Sequence, residues 1–300
     1  MTRHMLVVTH SSALSWDAAV HVTKTLHDKQ ISVVAAADQV SLLRERSGVP
    51  VKELGSEAVA ADIELGIVLG GDGTILWAAE MLRDAVAPIL GVNLGHVGFL
   101  AESERDDVDV AVGHAVAKDY SVDERLAIEV TVTEAGRETF RTWALNEATV
   151  EKAEPGRMIE VAVAVDGRPL STFGCDGVVL ATPTGSTAYS FSAGGPIVWP
   201  NVEALLMVPL SAHALFAKPL VVGPDSVLSV QLMERSRASG MLWCDGRRST
   251  HVAPGALVSV SRSNHPVRLA RLHPGPFTDR LVSKFALPVE GWRGGGASPA

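Results

Sequence analysis

Hydrophobic and polar residues follow two different patterns along this chain. In the first part, short uninterrupted apolar runs predict buried strands at residues 5–9, 31–36, 65–69 and 89–92. Stretches with helical spacing predict helices at residues 16–27, 75–82 and 103–118. Strands that alternate with helices in this way favour a parallel sheet with helices on its faces.

Beyond about residue 120, apolar and polar residues alternate, as at residues 126–133, 159–165 and 228–232. Turn pairs such as Asp166-Gly167 recur at short intervals, which is typical of antiparallel sheets. We therefore predict an α/β N-terminal nucleotide domain with a parallel sheet, residues 1–120. It is followed by an all-β C-terminal domain, antiparallel sheet or sandwich, at 121–277. Residues 278–285 are predicted helical, with 278–290 returning to the first domain, and 291–300 form a disordered tail.

Composition narrows the class of protein. The chain has 300 residues, 47% hydrophobic and 20% charged, as in soluble globular proteins. No apolar run approaches the roughly 18–20 residues that span a membrane, and no signal peptide is recognisable, so we expect a cytoplasmic protein without a membrane partner. Cys175 and Cys244 stand outside any CxxC pattern, and a net charge of −8 argues against nucleic acid as a partner.

One loop carries the strongest chemical signal. The apolar run 65–69 ends in Gly70-Gly71-Asp72-Gly73-Thr74, and a predicted helix begins at once. Glycine lets the backbone approach a ligand, and a helix N-terminus offers free N–H groups to phosphate. A carboxylate repels phosphate, so Asp72 indicates a base, a metal ligand, or both. The alternative is a turn in which Asp72 only caps the helix.

Three further segments are candidates for ligand binding. Residues 93–100, which begin with Asn93, follow the next strand, and ligands of parallel sheets sit beyond the carboxyl ends of strands. Asn146-Glu147 pairs an amide with a carboxylate, a combination that can grip a ribose, although a solvated turn is the simpler interpretation. Residues 182–190 are dense in hydroxyls, and the alternative there is a serine-threonine turn network.

Besides the turn pair Asp166-Gly167, aspartate precedes glycine at Asp72, Asp176 and Asp245. Because Asp-Gly is a common turn pair, each single instance is as easily a turn as a site.

Taken together, these residues resemble the NAD kinase family. The glycine-aspartate loop alone is shared with diacylglycerol-type lipid kinases and is similar to that of phosphofructokinases. The discriminating segments are 93–100, Asn146-Glu147 and 182–190 followed by Gly194-Gly195-Pro196, which occur in the order and spacing of NAD kinases.

The resemblance implies a two-domain enzyme that transfers the γ-phosphoryl of ATP to the 2′-hydroxyl of the adenosine ribose of NAD, giving NADP. It implies Mg²⁺ or another divalent metal, whose ligands remain unknown, inorganic polyphosphate as an alternative donor, and a homodimer or homotetramer. Asp72 matches the family's proton acceptor. The implied binding residues are Gly70, Gly71, Gly73 and Thr74 for ATP phosphates, Asn93 in the second loop, and, for NAD, Asn146, Glu147, Arg157, Asp176, Thr187, Ala188, Tyr189, Ser190 and Ser192.

One position departs from the family pattern. Trp77 stands where a basic residue often helps to hold a ligand phosphate, and Arg247 is a candidate to supply that charge. Two alternatives remain open: a lipid or sugar kinase with the same loop, and a protein that senses NAD(P) without turning it over.

Overall fold

The computed structural model describes residues 3–94, 98–101, 108–272 and 275–289. The predicted tail at 291–300 and the start of the predicted helix at 103–118 lie outside these residues. The chain divides into two compact units, Met1–Glu124 with Arg268–Ala300, and Arg125–Val267.

The described residues form nineteen strands, six α-helices and two short 3₁₀ helices at Ala60–Asp62 and Gly185–Thr187. The strands are β1 His4–Thr9, β2 Ser32–Ala35, β3 Val51–Glu53, β4 Leu65–Leu69, β5 Ile89–Val92, β6 Ser121–Arg125, β7 Ile128–Glu134, β8 Arg137–Ala144, β9 Glu147–Lys152, β10 Ile159–Val165, β11 Arg168–Cys175, β12 Gly177–Ala181, β13 Leu205–Leu210, β14 Leu220–Val222, β15 Leu228–Leu232, β16 Gly240–Cys244, β17 Arg248–Val252, β18 Leu257–Arg262 and β19 Val267–Arg271. The helices are α1 Ala13–Asp28, α2 Ala37–Ser47, α3 Asp72–Met81, α4 Val108–Ala117, α5 Tyr189–Ser192 and α6 Phe277–Phe285.

The first unit is built on a seven-stranded sheet in the order β3-β2-β1-β4-β5-β19-β6. Its strands pair in parallel from β3 through to β19. Helices α1, α2 and α4 pack against one face of this sheet, and α3 packs against the other, where its Ile75 faces Gly91. Strands β1 and β4 are therefore buried on both faces and are continuous apolar runs, as parallel strands require. The carboxyl ends of β1, β4 and β5 therefore lie side by side, and β4 and β5 lead into the two glycine loops.

The second unit consists of two six-stranded sheets, in the orders β11-β10-β15-β18-β7-β8 and β14-β13-β12-β9-β16-β17. The pairs within both sheets are antiparallel, and inward-facing residues of both form one buried cluster that includes Val130, Val150, Val161 and Leu180. Alternating burial along β7 and β10 reflects one face turned to this core. The predicted fold class, a parallel α/β unit and an antiparallel all-β unit, is confirmed.

Candidate functional site

The glycine-aspartate loop joins β4 to α3 in the first unit. Gly70 donates its N–H to the Val92 carbonyl at 3.0 Å, and a Cβ on Gly70 would lie 3.0 Å from the Cβ of Thr74. Gly71 is the N-cap residue of α3, and Asp72 is the first helical residue. The loop therefore needs glycine at position 70 for close packing, and it places the Asp72 carboxylate at the positive end of a helix.

The Asp72 side chain does not cap its own helix. Its Oδ2 accepts the Phe99 N–H at 3.0 Å, and its Oδ1 accepts the Leu100 N–H at 3.1 Å. The capping alternative is therefore not what the structure shows, since both oxygens of Asp72 accept N–H groups from outside α3. Each carboxylate oxygen has a second lone pair, so two backbone donors orient the group and leave it able to accept a proton.

The second glycine loop is thus tied to the first. Gly98 faces Asp72 directly, because a Cβ there would lie 3.0 Å from Asp72 Cγ and closer still to Oδ1. Asn93 follows β5 and is buried. Residues 95–97 of this predicted segment lie outside the described residues. Among the parts that the structure describes, Asn93 and residues 98–101 share the carboxyl edge of the sheet with the glycine-aspartate loop.

In the second unit, Asn146 and Glu147 stand at the start of β9, and both are at least nine-tenths buried. Their backbone is held by Asp245, which belongs to one of the Asp-Gly pairs that the sequence leaves equally open as a turn or a site. The Asp245 carboxylate accepts the N–H groups of Leu145 at 2.9 Å, Asn146 at 2.7 Å and Glu147 at 3.4 Å.

Asp245 also pairs with Arg248, whose Nη2 lies 2.9 Å from its Oδ2 and whose guanidinium stacks on Trp143 at 4.4 Å from the ring centre. Asp245 and Gly246 both have positive φ, 52° and 65°, which makes the tight turn between β16 and β17. The pair therefore forms a turn, and its carboxylate also binds the backbone of the segment that carries Asn146 and Glu147. The backbone partners of Asp245 lie about 100 residues away, so no local signal reveals them.

Glu147 is a buried acid with an unusual pKa. Burial, and then the negative charge of Asp245, raise the pKa of Glu147 to about 8, against the opposing effect of the Tyr189 backbone N–H. Burial also raises the pKa of Asp245, but three N–H groups and Arg248 oppose that rise. Because Asp245 has four donors and the Oε2 of Glu147 has no partner among the described residues, we assign the negative charge of the pair to Asp245.

The hydroxyl-rich segment after β12 packs onto Asn146. Thr182 donates its N–H to the Asn146 carbonyl at 2.9 Å and its hydroxyl to the Leu145 carbonyl at 2.5 Å. A Cβ on Gly185 would lie 2.8 Å from the Cα of Asn146. Ser186 and Thr187 bond back to the segment's own carbonyls, so the serine-threonine turn network predicted as the alternative is present. The buried Ser190 hydroxyl has no partner in the described part of the chain.

A cavity of about 470 Å³ opens beside this segment. Three predicted site residues, Asp176, Tyr189 and Ser192, line it. Lys152 Nζ lies 2.6 Å from Asp176 Oδ1 and holds the pKa of that carboxyl below its usual value. Burial raises the pKa of Tyr189, and nearby carboxylates led by Glu151 add to the effect. The second unit therefore brings three of the predicted NAD-binding residues together around one cavity.

The remaining candidates are more exposed. Arg157 donates to the Arg237 carbonyl at 3.5 Å and lies 4.0 Å from Glu154, with an exposed side chain. Trp77 is half-buried on α3, and Arg247 is exposed beside the Asp245 turn.

Within the described residues, no group of three or more histidine, cysteine, aspartate or glutamate side chains could hold a metal ion by itself. None of the described helices combines the length and the apolar character that crossing a membrane requires.

A carboxylate set at a helix N-terminus behind a glycine turn, together with a buried amide–acid pair, suits a phosphotransferase with an alcohol acceptor, and the comparisons with known proteins show that class. Two family models match the chain: the ATP-NAD kinase N-terminal domain over residues 5–120 and the ATP-NAD kinase C-terminal domain over residues 145–272. The NAD kinase of Leifsonia xyli is 58% identical over 97% of this chain and 97% of its own length. The chain belongs to the NAD kinase family, as the sequence resemblance predicts.

Solved structures agree with this assignment. An NAD kinase from Archaeoglobus fulgidus in complex with ATP is 26% identical, with a TM-score of 0.67 over 95% of this chain and 99% of that one. Yeast NADH kinase complexed with NADH shares the fold, with a TM-score of 0.85 over 96% of this chain and 88% of that one, at 21% identity.

Proposed function

We propose that this chain transfers the γ-phosphoryl group of ATP to the 2′-hydroxyl of the adenosine ribose of NAD, with Asp72 as the proton acceptor. The observation that carries the proposal is the placement of Asp72. Its carboxylate stands at the start of α3, behind a glycine turn suited to phosphate, and is oriented by two backbone N–H groups.

The chemistry explains why a carboxylate stands where phosphate binds. The ribose hydroxyl attacks the γ-phosphorus in line, the bond to the β-γ bridging oxygen breaks, and Asp72 takes the hydroxyl proton. General base catalysis of this kind contributes about 10²–10⁴-fold. Alignment of the two substrates and neutralisation of phosphate charge supply the rest.

The proposed binding residues divide into one set for ATP and one set for NAD. Gly70, Gly71, Gly73 and Thr74 are proposed to hold the ATP phosphates through backbone N–H groups, with Asn93 beside them. We assign NAD to Asn146, Glu147, Arg157, Asp176 and the segment Thr187, Ala188, Tyr189, Ser190 and Ser192. The burial of Asn146 and Glu147 and the shared cavity of Asp176, Tyr189 and Ser192 support this assignment.

A divalent metal, normally Mg²⁺, belongs to the proposal as the partner of the ATP phosphates. Mg²⁺ is usually bound by one or two carboxylates together with substrate phosphates. This way of binding Mg²⁺ needs only one carboxylate from the protein, which Asp72 could supply at the phosphate loop. The described residues contain no group of three or more histidine, cysteine, aspartate or glutamate side chains that could hold a metal ion. Bound there, the metal would neutralise developing charge on the transferred phosphoryl group.

We further propose a homodimer or homotetramer that works in the cytoplasm. Exposed apolar side chains on the second unit, Phe216, Leu215 and Val202 among them, support assembly, and two free buried cysteines suit a reducing compartment. Light scattering coupled to size-exclusion chromatography tests the assembly.

The function is tested by incubating purified protein with NAD, Mg²⁺ and either ATP or inorganic polyphosphate, and measuring NADP with an NADP-specific dehydrogenase. NADP formation with ATP supports the proposal, and the polyphosphate reaction decides the second donor. NAD binding without NADP would indicate a sensor, and absence of NAD binding would favour a lipid or sugar kinase.

A further inference from the structure

The peptide group that joins Phe99 to Leu100 is hydrogen-bonded at both ends. Its N–H, on Leu100, donates to Asp72 Oδ1 at 3.1 Å. Its carbonyl, on Phe99, accepts Nη1 of Arg280 at 3.1 Å. A single rigid peptide plane therefore stands between the guanidinium of Arg280, on α6, and the carboxylate of Asp72, on α3.

The neighbouring carbonyls are held in the same way. Arg280 Nη1 also donates to the Ala101 carbonyl at 2.7 Å, and Arg271 Nη1 donates to the Leu100 carbonyl at 3.1 Å. Arginine side chains from the last part of the chain thus hold the carbonyls of three consecutive residues, while the N–H groups of two of them hold Asp72.

Aromatic packing fixes α6 over this segment. The Phe99 ring lies 5.9 Å from that of Phe277 and 5.8 Å from that of Phe285, centre to centre. These two rings lie at opposite ends of α6, and Arg280 lies between them in the sequence. The helix α6 therefore packs on the segment that orients Asp72, and the guanidinium of Arg280 faces the carbonyls of that segment.

We propose that Arg280 is a positioning residue for phosphoryl transfer, acting on Asp72 through the peptide group between Phe99 and Leu100. The inference rests on the proposed function of Asp72. A guanidinium hydrogen-bonded to the Phe99 carbonyl fixes the peptide plane and polarises the peptide group. It thereby strengthens the hydrogen bond from the Leu100 N–H to the Asp72 carboxylate. Without it the plane can rotate, and a displacement of about 1 Å at a reacting group can cost about 10²-fold in rate.

A purely structural role makes a different prediction. If Arg280 only fastens α6, its removal lowers the unfolding temperature and leaves the turnover of the folded enzyme unchanged. If it acts through Asp72, its removal lowers kcat more than it raises KM for either nucleotide. The two residues are then also coupled, so the effect of removing Arg280 disappears once the Asp72 carboxylate is gone.

The experiment compares wild type, Arg280→Ala, Arg280→Lys, Asp72→Asn and the double variant Asp72→Asn/Arg280→Ala in NADP formation with ATP and Mg²⁺. We expect Arg280→Ala to lower kcat by about 10–100-fold. Arg280→Lys, which keeps a charged donor, should recover part of that loss. The double variant should turn over at the rate of Asp72→Asn alone. Arg268→Ala, which removes an arginine paired with Glu124 in the same unit, is the matched control and should leave kcat unchanged.

Hydrogen exchange of the ligand-free protein provides a readout independent of activity. The amides of Phe99 and Leu100 should exchange faster in Arg280→Ala than in Arg268→Ala. If Arg280→Ala does not fold, Arg280→Lys takes its place, and the same two amides should exchange faster in it than in Arg268→Ala. An unchanged kcat in folded Arg280→Ala, or multiplicative losses in the double variant, would overturn the inference. Wild type without NADP formation would refute the proposed function itself, and full activity in Asp72→Asn would refute the base on which the inference depends.

Discussion

Gly98 and Asp72 pack so closely that no side chain fits between them. A Cβ on Gly98 would lie 3.0 Å from Asp72 Cγ, while the next two residues, Phe99 and Leu100, donate their N–H groups to the carboxylate oxygens. The second glycine loop thus serves the first by fixing the orientation of its aspartate.

Gly98→Ala should therefore reduce catalysis by displacing Asp72. We expect kcat for NADP formation to fall by about 10²-fold, since a shift of about 1 Å at the base is enough. The matched control is Gly113→Ala on α4, where a Cβ meets nothing within 4 Å. That change should leave kcat unaltered and add up to about 1 kcal/mol of stability, as alanine does in a helix. Equal kcat values for the two variants would show that the Gly98 contact does not matter.

Much of this architecture could be predicted from the sequence because its signals are local. Uninterrupted apolar runs such as 65–69 identified the parallel strands, and alternation such as 159–165 identified the antiparallel ones. Gly70-Gly71-Asp72 followed by a helix also lies within one short segment. The residue pattern there predicted a helix directly after the loop, although α3 begins at Asp72, three residues before the predicted start.

The contacts that orient the site could not be predicted, because they join residues far apart in the chain. Asp245 binds the backbone of Asn146 across about 100 residues, and Arg280 binds the Phe99 carbonyl across 181. An Asp-Gly pair in a turn and an arginine in a helix have ordinary local explanations. Likewise, β19 is a short strand after an antiparallel region, and only pairing with β5 places it in the parallel sheet.

Asp245→Asn should damage both stability and NAD binding. The Asp245 carboxylate accepts four hydrogen bonds, and the change replaces one of its oxygens by an NH₂ group that would face the N–H donors. It also removes the negative charge that pairs with Arg248. Breaking a buried ion pair typically costs about 3–5 kcal/mol, and we expect a loss of that order in urea unfolding. The KM for NAD should rise, because Asn146 and Glu147 lose their backbone support.

The control for Asp245 is Glu203→Gln, which breaks an exposed ion pair with Arg262 in the same unit. Exposed pairs contribute at most about 1 kcal/mol, so this variant should behave almost as wild type in both measurements. A loss of stability in Asp245→Asn with an unchanged KM for NAD would confine Asp245 to a structural role.

The pH dependence of stability should report the buried acid Glu147. Its pKa is raised from about 4.5 in the unfolded chain to about 8 in the fold. Between these values the folded state holds a proton that the unfolded state has released. The free energy of unfolding of the ligand-free protein should therefore fall as pH rises through this window, by up to about 1.4 kcal/mol per pH unit from this group.

Glu147→Gln should remove that slope, because glutamine does not titrate. Urea unfolding of both proteins across the window measures the difference. Glu129→Gln, at an exposed position paired with Arg141, serves as the control and should keep the wild-type slope. Identical slopes in wild type and Glu147→Gln would mean that Glu147 is not protonated in the fold.

The most direct test is the turnover of Asp72→Asn. Asparagine keeps the size of the side chain and one oxygen to accept a backbone N–H, but it cannot take the proton of the ribose hydroxyl. With NAD, ATP and Mg²⁺, measured through an NADP-specific dehydrogenase, we expect kcat to fall by about 10²-fold or more while NAD binding is retained. Turnover close to that of wild type would contradict the assignment of Asp72 as the base.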